Sequence, residues 1–371
     1  MWHFFPGQYM PSYQLNRALS QAHYGGGEIA ECLEAASEIT PGDRDSFHNA
    51  WAKIGNKIYH EAEIANKKGF TATARRAYLR SFNYLRTAEF FLPLGDSRKL
   101  PFYTKCVKAF RQAIPLMENP PQQVKVPYED SFLPGYLFKP KTDKKVPLMV
   151  MFGGLDSLAE EMYFGPAQLL NERGVALLII DGPGQGEALR LNHIHSRYDY
   201  NVAGTAAYEW TVENLADQID IERIGIMAVS MGGYMAARCA AFEPRFKVCY
   251  VWGAVWSYFE VWDGRPDNHP LATIVQHIVG AKDMTEARKL LEGFTLENGV
   301  AEKISIPTFI LHGEDDKQNF VSHAYRLYDA LTCEKDMQII PSGQRGSQHC
   351  QVDDFSTTYD MLDKVTEKLK E

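Results

Sequence analysis

A serine held between a strand and a helix constrains this chain more than any other feature. Residues 223–228 form a largely apolar run of strand type, and Tyr234-Met235-Ala236-Ala237 opens a helix. Ala228-Val229-Ser230-Met231-Gly232-Gly233 joins the two. A junction this tight forces a strained backbone on its central residue, which only small residues two positions away tolerate. Gly232 meets that requirement, and Ala228, standing where a glycine is usual, meets it with a single methyl group. Ser230 is therefore expected to stand above the strand ends with its hydroxyl projecting. A serine hydroxyl is a poor nucleophile unaided, so a base and a group orienting that base must come from elsewhere in the chain.

Two later segments supply them in order. Residues 307–311 form a short strand-type run that ends in His312-Gly313-Glu314-Asp315-Asp316. Residues 337–341 form another, and the loop 342–348 that follows it delivers His349. Serine, aspartate and histidine in that order, each just past the C-terminal end of a strand, match one known chain order of a catalytic triad. In such a triad the imidazole takes the serine proton, while the carboxylate fixes the imidazole tautomer and stabilises the imidazolium that forms. The His-Gly-x-x-Asp register selects Asp316 over its neighbour Asp315.

An oxyanion site is expected beside Ser230. The strand Val146–Phe152 ends in Gly153-Gly154-Leu155-Asp156, where glycines let backbone N–H groups approach a substrate oxygen closely. One donor is the amide of Met231, the residue after the nucleophile, and the other is the amide of Leu155 or Gly154. Each such donor is worth about 3–4 kcal/mol of barrier. The next strand-type run, 175–180, leads into Asp181-Gly182-Pro183-Gly184-Gln185-Gly186. Its glycines lack the G-x-G-x-x-G spacing of a dinucleotide site, so no cofactor is expected.

The chain has 371 residues and a formal net charge of −8, with no basic cluster, which argues against nucleic acid or an anionic membrane as partner. No apolar run approaches the roughly 18 residues of a membrane span. The first residues, Met1-Trp2-His3-Phe4-Phe5-Pro6, carry no basic stretch, so no secretory leader is expected. The six cysteines, at 32, 106, 239, 249, 333 and 350, are scattered without paired spacing. They read as reduced thiols of a cytoplasmic protein, not as a disulfide frame or zinc site. Cys350 beside His349 lacks a base of its own and is not expected to react. His193 and His195 lack companions for a metal site, while His312 and His323 are expected to be structural. The expected partner is a small-molecule substrate, with a homodimer left open.

Residues 1–120 read as an all-helical unit. Asp45 or Ser46 caps a helix carrying Trp51, Ile54 and Ile58 on one face. Thr71 or Thr73 opens a second through Tyr78, Phe82, Leu85 and Phe90. A third follows Asp96-Ser97 and Pro101 through Val107, Phe110 and Ile114. From residue 121 onward the pattern changes. An initial hairpin, 124–128 with 132–138, precedes strands that alternate with helices, including 247–252. This implies an α/β class with a mostly parallel, doubly wound sheet over 121–371. Residues 253–303 are long for a connection and carry Trp256, Tyr258, Phe259, Trp262 and His269, then the helix Met284–Leu291. They are expected to form a lid-like insertion at the pocket entrance.

The C-terminal two-thirds resembles the α/β-hydrolase superfamily, and nearly the whole chain resembles its FrsA-like group. That group carries an N-terminal helical domain and includes fungal polyketide-shortening pigment hydrolases and bacterial 2,6-dihydroxypseudooxynicotine hydrolase. The residues behind this are the helical segment from Arg80 to Leu92, with Phe152-Gly153-Gly154-Leu155-Asp156-Ser157, Asp181-Gly182-Pro183-Gly184-Gln185-Gly186 and Trp252-Gly253-Ala254. The resemblance implies hydrolysis of a carbon–carbon bond beside a ketone, of retro-Claisen type, with the helical domain as a lid. Relatives place a glycine close before the histidine, whereas here Ser347-Gln348 separate Gly346 from His349. Glu260, with Trp256 and Tyr258, is the candidate for binding a hydroxylated substrate, the bland alternative being a pair with an arginine such as Arg265. An esterase, thioesterase or acyltransferase would use the same triad, and a non-catalytic binding protein on this scaffold is the remaining alternative.

Overall fold

The computed structural model describes residues 1–371, which divide into two compact units, Met1–Pro120 and Pro121–Glu371. The first unit is helical, with α-helices at Tyr9–Ser20, Ile29–Ser37, Arg44–Lys67, Thr71–Phe90 and Lys99–Ala113. Its central helix, Thr71–Phe90, is buried over most of its circumference and packs between Arg44–Lys67 and Lys99–Ala113. Gly55 makes the closest approach possible, because a Cβ there would press on Leu85. Polar side chains on the buried helix are matched: Ser81 Oγ donates to Gly55 O, and Asn83 Nδ2 donates to Ala18 O and Gly26 O. The helix Arg44–Lys67 is capped by Asp43, whose carboxylate accepts the amides of Asp45 and Ser46. The expected cap at Asp45 or Ser46 is thus displaced. Asp43 holds the extended backbone that a cap requires, whereas those two residues already lie in the first turn.

The second unit is built on one eight-stranded sheet in the order β1-β2-β4-β3-β5-β6-β7-β8. Its strands are β1 (Gln122–Tyr128), β2 (Ser131–Phe138), β3 (Val146–Phe152), β4 (Ala176–Ile180), β5 (Ile219–Val229), β6 (Cys249–Trp252), β7 (Thr308–Gly313) and β8 (Lys335–Ile340). β1 and β2 form an antiparallel hairpin and β2 runs antiparallel to β4; all other pairs are parallel. β3, β4, β6 and β7 are buried along their whole length, as strands covered by helices on both faces must be. Their continuous apolar runs follow from that. Pro147 falls at a register irregularity between β3 and β5, a place where the missing N–H is tolerated.

The parallel pairing puts the ends of β3 to β8 on one rim. The chain leaves β3 for β4 on one side and later enters β5 on the other, so the strand order reverses there. In open α/β sheets that switch point is where ligands bind. Ser230 follows β5 and Gly153-Gly154 follows β3, its immediate neighbour. Residues 253–303 hold three α-helices, Tyr258–Trp262, Ala272–Val279 and Met284–Leu291. No helix in the chain is long and apolar enough to cross a membrane.

Candidate active site

Ser230 occupies the turn between β5 and the helix Gly232–Phe242 with φ +64, a left-handed conformation costly for any residue with a Cβ. Its amide donates to Trp252 O on β6 at 2.8 Å, which ties the strained turn to the sheet. A Cβ on Gly154 would lie 2.8 Å from Ser230 Cβ and from Val229 O, so only glycine fits beside the serine.

His349 Nε2 lies 2.7 Å from Ser230 Oγ, and His349 Nδ1 lies 2.6 Å from Asp316 Oδ2. The carboxylate of Asp316 is buried. Burial alone would favour its neutral form, but the charge and hydrogen bond of His349, with His312 and the Asn319 amide, hold its pKa below the usual carboxylate value. An ionised carboxylate only accepts, so the proton between the two sits on Nδ1, and once the ring is neutral Nε2 faces the serine hydroxyl as an acceptor. For His349 burial opposes the charged form, yet the negative charge of Asp316 outweighs it and raises the pKa above the ordinary histidine value. The structure thus joins the three residues into one chain of hydrogen bonds from three separate strand ends.

Asp315 points elsewhere. Its carboxylate accepts from Ser342 Oγ, Gly343 N and Ser347 Oγ, bracing the loop that carries His349. Gln351 braces the other side: its Oε1 accepts from Trp252 Nε1 and its Nε2 donates to Gly346 O. These bonds secure Cys350 and Gln351, both left-handed, directly after the histidine. The two residues between Gly346 and His349 are accommodated in this way. Cys350 is buried, its thiol directed at Trp252 O. His312 is buried and held neutral chiefly by that burial; its Nδ1 accepts from Ala254 N and its Nε2 donates to Asn319 O. It therefore ties the loop of Asp316 to the end of β6, a tighter role than packing.

The two candidate amides of the β3 loop differ. Gly154 N donates to Ser157 Oγ at 2.7 Å, so it is already engaged, whereas Leu155 N and Met231 N have no hydrogen-bond acceptor within the chain. Both unpaired amides flank the serine, Met231 at the N-terminus of its helix, where free N–H groups and the helix dipole favour an anion.

The expected substrate-binding side chains lie apart from this relay in their bonding. Glu260 is exposed and pairs with Arg326 at 2.5 Å, not with Arg265, which donates instead to Gln318 O and Lys317 O. Those partners come from distant sequence and were not legible in it. Trp256 is buried, its Nε1 donating to Glu297, while its amide is accepted by His323 Nδ1. Burial lowers the His323 pKa to about 4, consistent with that acceptor role. Tyr258 is buried in the insertion. His195 Nδ1 bonds His277 O, and no group of three or more His, Cys, Asp or Glu is placed to hold a metal.

A family model described as FrsA-like esterase matches residues 44–260, more than half of the chain. The chain belongs to the FrsA-like family. A model of the prolyl oligopeptidase family also matches this FrsA-like chain, over residues 162–366. Among curated proteins it is 35% identical over 273 residues to hydrolyase poxO of Penicillium oxalicum, covering 71% of this chain and 64% of that protein. It is 34% identical over 268 residues to the α/β-hydrolase xenA of Xenoacremonium sinensis, covering 70% and 62%. The FrsA-like chain therefore spans somewhat less than two-thirds of the curated relatives it matches. Among solved structures, a 2,6-dihydroxy-pseudo-oxynicotine hydrolase superposes with a TM-score of 0.81 at 22% identity, covering 95% of both chains. The eight-stranded sheet with its flanking helices is the α/β-hydrolase fold.

Proposed function

We propose that this protein is a serine-dependent hydrolase that cleaves a carbon–carbon bond beside a ketone in a polyketide or aromatic metabolite. The observation that carries the reading is the unbroken relay from Asp316 through His349 to Ser230. Ser230 Oγ gives its proton to His349 Nε2 as it adds to the ketone carbon. The resulting oxyanion accepts from Met231 N and Leu155 N. Collapse of the adduct breaks the bond to the neighbouring carbon, which leaves with the electron pair as an enolate or phenolate-like anion and takes the proton held on His349. Water, deprotonated by the now neutral imidazole, attacks the acyl-enzyme and releases a carboxylic acid and Ser230. The fungal relatives named as hydrolases support hydrolysis. A flat substrate would suit the aromatic residues of the insertion.

The same acyl-enzyme serves esters and thioesters, and the esterase description of the family favours that second reading. A substrate panel separates the two. Turnover of 1,3-diketones and aryl ketones should exceed that of p-nitrophenyl esters and acyl thioesters; the reverse order overturns the carbon–carbon assignment. A fluorophosphonate probe should label wild type and not Ser230→Ala, and a wild type that resists labelling overturns the nucleophile.

A further inference from the structure

We propose that Gln185 is a positioning residue that fixes the peptide orientation of the oxyanion loop, an inference that rests on the serine-hydrolase reading above. Gln185 is buried at the end of Asp181-Gly182-Pro183-Gly184-Gln185. Its Nε2 donates to two successive carbonyls, Gly153 O at 2.8 Å and Gly154 O at 3.1 Å, while its Oε1 accepts from Gly182 N. In a trans peptide the C=O and N–H point in opposite directions. A donor that holds the Gly154 carbonyl therefore sends the Leu155 N–H away from Gln185. By the same geometry the Gly153 carbonyl, once held, sends the Gly154 N–H the opposite way, where Ser157 Oγ receives it.

The clamp matters because the loop is made of glycine. Gly153 and Gly154 rotate with little steric hindrance, and a peptide flip would exchange an N–H for a C=O. A carbonyl dipole aimed at a developing oxyanion destabilises the state the site must stabilise. The segment that carries Gln185 grips the rest of the loop as well. Asp181 Oδ1 accepts from Ala159 N, Gly186 N donates to Ser157 O, and Arg190 Nη2 donates to Asp156 Oδ1 at 2.6 Å. Asp156 itself is left-handed at φ +56. The Asp-x-Pro-Gly-x-Gly segment thus acts as a bracket for the β3 loop, and Gln185 is the part of it that reads peptide orientation.

The test uses the full chain and Gln185→Met, which keeps the side-chain length and removes the donor, together with Gln185→Glu, which presents an acceptor to the two carbonyls. Steady-state kinetics on p-nitrophenyl butyrate, inhibition by an alkyl boronic acid that forms a tetrahedral serine adduct, and Tm are measured for each. A misplaced donor should lower kcat about 10- to 100-fold while KM changes less than about 3-fold, with boronate affinity falling in parallel with kcat. Gln185→Glu should lose more than Gln185→Met. Unchanged kcat in folded variants, or a loss carried entirely by KM, overturns the inference while wild-type turnover keeps the hydrolase reading intact. A wild type that neither turns over nor labels with fluorophosphonate overturns both. Should neither variant fold, Gln185→Asn, which keeps the amide but draws it back from both carbonyls, is measured in the same way. A kcat loss of several-fold with KM held then supports the inference, and an unchanged kcat overturns it.

Discussion

In the helical unit, the helix Thr71–Phe90 buries Arg86 and Glu89 as an ion pair at 2.5 Å, with Lys99 joining Glu89 at 2.9 Å. In the sheet unit, the buried Asp316 and His349 lie past strand ends beside His312 at the tip of β7, and the strand interiors are otherwise largely apolar. The helical cluster sits at the C-terminal end of that helix, where Glu89 answers Arg86 of its own helix and Lys99 at the start of the next. The sheet cluster is arranged in series and ends on the hydroxyl of a strained serine. Buried charge in a helix bundle specifies which faces meet; buried charge past parallel strands is positioned to move a proton. The two should respond to mutation in opposite ways, one in stability and the other in rate.

The sharpest break between them is Ser230→Ala. Turnover should fall by about 10⁶-fold, measured on whichever substrate class proves active, while thermal unfolding stays close to wild type. Next is Asp316→Asn, expected to lower kcat by about 10⁴-fold. The acid limb of kcat/KM reports loss of the proton from His349 in the free enzyme. Because Asp316 raises that pKa, the wild-type limb should lie above the ordinary histidine range. Removing the carboxylate charge should move the limb to lower pH, and a limb that stays fixed would assign it to another group. Glu89→Gln addresses the other unit. Weakening a buried pair from one side should cost about 3–5 kcal/mol of stability, read by denaturant unfolding, with kcat unchanged under conditions where the protein stays folded. A large kcat loss at full stability would erase the contrast. Smallest is Asp43→Ala, where loss of one helix cap should cost about 1 kcal/mol and leave kinetics untouched.

The sheet unit was the more legible in sequence. Strands β3, β4 and β6 are short apolar runs that stop at glycine or aspartate, and Val146–Phe152 has the bounds its sequence predicts. The order of Ser230, Asp316 and His349 follows from the topology, because parallel strands bring distant loops to one rim. The family resemblance drawn from Phe152–Ser157 and Asp181–Gly186 agrees with the FrsA-like match. The helical unit hid more. Helix Tyr9–Ser20 is not legible in the sequence because Ser12, Gln14 and Asn16 are buried in it, which blurs its apolar face, and Ile29–Ser37 buries only Cys32 and Ala35. Ser12 Oγ accepts from Phe5 N and Asn16 Nδ2 donates to Trp2 O, so burial there follows tertiary hydrogen bonds and not hydrophobicity. Within the site, the choice between the amides of Gly154 and Leu155 depends on Ser157 and Gln185. Adjacency in the sequence carries no trace of which carbonyl a glutamine some thirty residues away will hold.

Trp252 bears on how the nucleophile and base keep their spacing. Its carbonyl receives the backbone of Ser230, and its indole holds Gln351, two residues past His349. Both reacting groups are thus mounted on one rail. One residue tethers the turn of the nucleophile and the loop just after the base, so a change at Trp252 reaches both sides of the gap the hydrogen must cross.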